Sequence, residues 1–88
     1  MANHPSALKR MRQNDRRRAR NRSTRSRVKT QIKDLLHAVE EKDVKKAQAA
    51  LRQVTSSLHK SASKGVYHRN TASRQISRLA RKVDALSQ

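Results

Sequence analysis

The 88-residue sequence predicts an all-α fold, a three-helix bundle with an extended, Arg-rich first helix. Three observations carry that prediction. Helix formers dominate the composition, while Gly65 and Pro5 are the only helix breakers and Tyr67 the only aromatic residue, too few turn and β-forming residues for a sheet. Apolar residues recur every three or four positions in three separate stretches, the period of a helix and not of a strand. The basic residues crowd into the first third of the chain, where no apolar face continues between Met11 and Val28.

The first helix opens at Ser6 or Pro5, since proline is tolerated in a first turn, and runs to about residue 40. Val28, Ile32, Leu35 and Val39 form its stripe, widened by Leu36. Upstream, Leu8 and Met11 begin a stripe that runs into Asp15, Arg18 and Asn21. A helix over residues 6–40 is roughly 50 Å long at about 1.5 Å per residue, so much of it projects beyond the bundle. Like-charged pairs four apart, such as Arg16–Arg20 and Arg18–Arg22, disfavour helix in free solution. Residues 1–25 are therefore expected to fray alone and to become helical against phosphates.

The second helix is expected over 44–63. Val44, Ala47, Leu51, Val54 and Leu58 share one face, Asp43 is placed to cap the free amides, and Gly65 suits the left-handed residue that ends the helix. Lys60 and Lys64 lie favourably near its negative end. The third is expected over 70–86 behind an Asn70 cap, with Ala72, Ile76, Leu79, Val83 and Leu86 as its stripe. One domain results, residues 1–88, divided into a basic arm over 1–27 and a bundle core over 28–88.

Charge dictates the function class. Twenty-three Lys and Arg oppose six Asp and Glu, giving a formal net charge of +17, a pI near 11.9 and a mean hydropathy of −1.10. Residues 1–33 hold twelve of the basic groups and one acid, and seven arginines fall between Arg16 and Arg27. Such a chain repels itself and needs a polyanion to neutralise it. Nucleic acid is the first candidate, because phosphate contacts release condensed counterions. An anionic membrane surface is the second, but the most basic stretch lacks the apolar face that membrane-surface and calmodulin-target helices need.

Candidate contacts follow from that logic. Guanidinium forks match phosphate oxygens, so Arg16, Arg17, Arg18, Arg20, Arg22, Arg25 and Arg27 are expected to bind phosphates, mostly on one or two sides of the first helix. Lys64, Tyr67, His68, Arg69 and Asn70 concentrate in a loop at one end of the bundle. Arg74, Arg78 and Arg81 run up the third helix away from its apolar stripe. Tyr67 either stacks on a base or sugar or caps a small core with its hydroxyl exposed. Physics alone does not choose between RNA and a DNA groove, so a nucleoid-type DNA-compacting protein is a rival reading.

Other chemistry finds little support. Four histidines (His4, His37, His59, His68) lack the two-His i,i+4 spacing of a zinc helix, and cysteine is absent, so neither a metal nor a cofactor is expected. Glu40, Glu41 and Asp43 are explained by their place at a helix boundary, and one glycine cannot make a phosphate-binding loop, so no enzyme is expected. One aromatic residue rules out the stacking sheets of RRM and OB modules, and one glycine the GXXG loop of KH modules. Recognition must rest on shape, backbone and groove contacts. No apolar run in Met1–Met11 reaches signal-peptide length, so an intracellular place is the default expectation.

The stretch Lys64-Gly65-Val66-Tyr67-His68-Arg69-Asn70-Thr71-Ala72-Ser73-Arg74, continuing to Ser77-Arg78-Leu79-Ala80, resembles the bacterial small-subunit ribosomal protein S-twenty family. Ser6-Ala7 with Lys9-Arg10 fits the same pattern, as do Arg17-Arg18, Arg20-Asn21, Arg25-Ser26, Lys29-Thr30 and Ile32-Lys33, so the resemblance covers essentially the whole chain. His4-Pro5 stands where the family more often has an aliphatic–Lys pair, and Tyr67 where an aliphatic residue is usual. The resemblance implies a three-helix bundle that binds small-subunit ribosomal RNA early in assembly, bridging the 5′ domain and the long penultimate RNA helix. It extends the candidate surfaces to Lys9, Arg10, Arg12, Asn21, Ser26, Lys29, Thr30 and Lys33 on the first helix. It further implies a cytoplasmic, ribosome-bound protein with few protein contacts, no membrane and no homo-oligomer.

Overall fold

A computed structural model describes residues 5–87. It contains three helices in chain order, α1 (Pro5–Glu40), α2 (Val44–Ser63) and α3 (Arg69–Ser87). The expected boundaries of α1 and α2 hold closely, and α3 starts one residue early. His4 lies outside the described residues.

The turns between helices explain those boundaries. At the end of α1, Asp43 N donates to Ala38 O at 3.1 Å and Lys42 N to Val39 O at 3.1 Å, the paired bonds of a Schellman motif. Lys42 takes the left-handed residue at φ 58°. Asp43 then caps α2 as expected, with Lys46 N donating to its Oδ1 at 3.1 Å. The same motif closes α2: Val66 N donates to Ser61 O at 2.9 Å and Gly65 N to Ala62 O at 3.1 Å, around Gly65 at φ 80°. The cap of α3 differs from the expectation. His68 holds that position, its Nδ1 accepting from Asn70 N at 3.1 Å, while Asn70 is already inside the helix. A neutral imidazole offers a ring acceptor, which fills the role that an Asn side chain would have taken.

The core joins the expected stripes. Val28, Leu35, Ala38, Ala47, Val54, Leu58, Ala72, Leu79 and Val83 are buried in one cluster, with Ile32, Leu36, Val39, Leu51, Ile76 and Leu86 packed half-buried around it. Val44 lies outside the cluster and Leu51 sits at its edge. Ala38, Val66 and Ser61 are buried although the stripes did not include them; Ser61 Oγ satisfies itself on Ser57 O at 2.7 Å.

The packing is open rather than closed. α2 lies against both other helices, whereas α1 and α3 barely meet. The principal extents are 65 × 21 × 14 Å, because α1 runs straight on past the core. Every residue from Pro5 to Arg20 is exposed.

Candidate nucleic-acid interface

The arm owes its exposure to its sequence. With no apolar stripe between Met11 and Val28, nothing on this stretch can be buried against α2, and its guanidinium groups remain in solvent. At about 100° per residue, Arg17, Arg18, Arg22, Arg25 and Lys29 fall on one face of α1, interleaved with Asn14, Asn21 and Ser26, and together they line a shallow groove. Arg16, Arg20 and Arg27 fall on nearly the opposite side of the helix, roughly 170° round, with Lys9 on the same line. The arm arginines thus occupy two sides of α1. Thr30 Oγ1 is turned back on its own helix, donating to Ser26 O at 3.1 Å.

Arg25 is different from its neighbours. Its Nη2 donates to Val66 O at 3.2 Å, and its guanidinium carbon lies 5.9 Å from the centre of the Tyr67 ring. This contact ties the arm to the α2–α3 turn across 41 positions of sequence. Tyr67 is half-buried and packed against the core, so of its two readings the structure displays the core-capping one, with a cation over the ring. Lys64, His68, Arg69 and Asn70 are exposed around that turn. Arg74, Arg78 and Arg81 form a separate exposed row on α3, opposite Ala72, Leu79 and Val83.

A second groove runs between α1 and α2, lined from α1 by Thr24, Arg27 and Gln31 and from α2 by Gln53, Ser57, Lys60 and Lys64. Lys60 was read from sequence only as a partner of the helix dipole; its spacing of seven and four from Gln53 and Lys64 marks one polar face of α2, a signal that was available but needed the neighbour helix to acquire meaning. Four of the six acids lie elsewhere. Asp34, Glu40, Glu41 and Asp43 sit at the closed end of the bundle, where His37 Nδ1 is 3.2 Å and Lys46 Nζ 3.9 Å from Glu41. These ion pairs are exposed and contribute little to stability.

Among the described residues no cluster of His, Cys, Asp or Glu is arranged to hold a metal ion. No described helix is long and apolar enough to cross a membrane. A small α-helical scaffold that projects two arginine tracks from one long helix has the form of a structural, polyanion-contacting protein.

The comparisons make the class specific. A family model described as Ribosomal protein S20 matches residues 2–84. The chain is 58% identical over 85 residues to the small ribosomal subunit protein bS20 of Syntrophus aciditrophicus, covering 97% of this chain and 96% of that one. It is 52% identical over 87 residues to the protein of the same name from Desulfatibacillum aliphaticivorans, covering 99% of each. The counterpart from Helicobacter hepaticus is 49% identical over 88 residues. The chain belongs to the Ribosomal protein S20 family, a family of ribosomal structural proteins and not of enzymes. Its place is the bacterial small ribosomal subunit.

Proposed function

We propose that this chain binds small-subunit ribosomal RNA directly and holds folded RNA in place during subunit assembly. The observation that carries the proposal is the separation of charge along α1: from Lys9 to Lys33 twelve basic side chains accompany one acid, Asp15, on a helix whose arm is free of packing. A solvated helix face normally mixes signs, and this one does not. Phosphate contacts from Arg16, Arg17, Arg18, Arg20, Arg22 and Arg27 supply affinity, and the Lys64–Asn70 turn adds a second point that fixes orientation. The two RNA elements implied by the family resemblance, the 5′ domain and the penultimate helix, are the proposed partners, and the bacterial cytoplasm the proposed location.

The test is a salt titration of binding to small-subunit ribosomal RNA against duplex DNA of equal length. A preference for the RNA that survives physiological salt supports the proposal. Equal binding that collapses for both as salt rises would favour the DNA-compacting reading instead. Replacing Arg17, Arg18 and Arg20 with Ala is expected to flatten the slope of log affinity against log salt by about two to three units. An unchanged slope would remove the arm from the interface.

A further inference from the structure

We infer that Arg25 is a positioning residue in RNA binding: it meets no phosphate itself, but clasps the α2–α3 turn and so holds the foot of the arm in a fixed relation to that turn. The inference rests on the proposed RNA binding and deepens it. Arg25 lines the same groove as Arg17, Arg18 and Arg22, and spacing alone would give it their role. Its guanidinium is engaged elsewhere. One edge donates to Val66 O at 3.2 Å, and the guanidinium carbon stands 5.9 Å from the centre of the Tyr67 ring. A planar cation with donors along its rim can hold a carbonyl and an aromatic ring together. Among the described residues no other arginine of the arm has its side chain bonded to the protein.

What the clasp joins gives it a use. Its partners are themselves anchored: Val66 is buried and Tyr67 packs against the core. Val28, one turn of α1 further on, is in the core, while the helix before Arg25 has no packing. Arg25 therefore stands where the held part of α1 gives way to the free part. α1 and α3 barely meet, so little else relates the arm to the turn that carries Lys64, His68 and Arg69. Two contact surfaces already standing in the right relation bind without the cost of ordering them on the RNA. A clasp supplies no more of that advantage than its own strength. For one cation over a ring and one hydrogen bond this corresponds to about three- to tenfold in affinity.

The test measures affinity for small-subunit ribosomal RNA across a salt series, with circular dichroism showing that each variant is folded. Arg25→Gln is expected to weaken binding by about three- to tenfold at every salt concentration, with the slope of log affinity against log salt unchanged. Arg22→Gln, which gives up a phosphate contact, is expected to flatten that slope by about one unit. Tyr67→Leu removes no charge and should also weaken binding at constant slope, and Tyr67→Phe, which keeps the ring, should restore what Tyr67→Leu loses. The double variant Arg25→Gln with Tyr67→Leu should bind about as well as Arg25→Gln alone, because both changes open one clasp. A role confined to stability would lower the urea midpoint and leave the affinity of the folded variants unchanged, and that result would overturn the inference. So would a slope flattened by about one unit in Arg25→Gln, the mark of a phosphate contact, or losses that add in the double variant. Each of these outcomes leaves direct RNA binding intact. Failure of the unaltered chain to prefer ribosomal RNA over duplex DNA would overturn the proposed function first.

Discussion

Arg25 shows how one residue can change role once the chain is folded. In sequence it is one of seven arginines between positions 16 and 27; in the structure it bonds the Val66 carbonyl and covers the Tyr67 ring. No local signal distinguishes it, because its partners lie 41 residues away. A double-mutant cycle of Arg25→Gln with Tyr67→Leu, read by urea unfolding, is expected to give a coupling energy of about 0.5–1 kcal/mol; additive losses would mean that the contact does not form in solution. Lys42 provides a second residue-scale prediction. It occupies the left-handed position at φ 58° that Gly65 fills in the other turn, and a side chain there costs about 1–2 kcal/mol. Lys42→Gly is therefore expected to stabilise the protein by about 1 kcal/mol after the greater flexibility of the unfolded chain is subtracted. Gly65→Ala should destabilise it although open space surrounds the site. A lowered melting temperature for Lys42→Gly would refute the reading.

At the scale of the element, α1 combines two physical regimes. From Val28 onward its apolar stripe is buried; from Pro5 to Arg20 it has no packing. The structure draws both as one helix, while the like charges four apart favour fraying of residues 1–25 in the free protein. Amide exchange measured on the free chain is expected to be fast for Arg16–Arg20 and slow for Leu35 and Ala38, and added RNA should slow the former. Sharp helical shifts for Arg16–Arg25 without RNA would contradict it. The helices themselves were legible in sequence: the three apolar stripes, Asp43 and Gly65 locate α1 and α2 to within about a residue. What could not be read locally is what depends on neighbours. Ala38 and Ser61 are small enough to be overlooked in a stripe, His68 displaces Asn70 as a cap through its ring nitrogen, and the α1–α2 groove exists only when Gln31 and Lys60 are brought alongside each other. The arginine arm was legible because charge without an apolar face needs no partner helix to be noticed; that Arg25 is drawn from it to the Val66–Tyr67 turn was not.

The whole molecule is a rod with a packed end. Its Cα radius of gyration is 17.4 Å, against about 12 Å for a compact domain of this length. A net charge of +17 on so small a chain opposes the packed state, and mobile ions relieve that repulsion over a Debye length of about 10 Å at 0.1 M. Raising salt from about 0.05 to 0.5 M, a range over which that length shrinks several-fold, is therefore expected to increase the stability of the free protein, read as a higher urea midpoint, while it weakens RNA binding. Parallel loss of both would show that specific ion pairs, rather than self-repulsion, dominate the folded state.

The near absence of contact between α1 and α3 also bears on time. Each helix is fastened to the one before or after it through a short turn, so the stabilising contacts join segments close in sequence, and helical folds of that kind form in microseconds to milliseconds. Chain synthesis proceeds at only about 5–20 residues per second. The bundle can thus close within a small fraction of the time the chain takes to make. Folding of the core adds little to the time that synthesis takes, while the arm, which has no packing to hold it, stays an open polycation until RNA meets it.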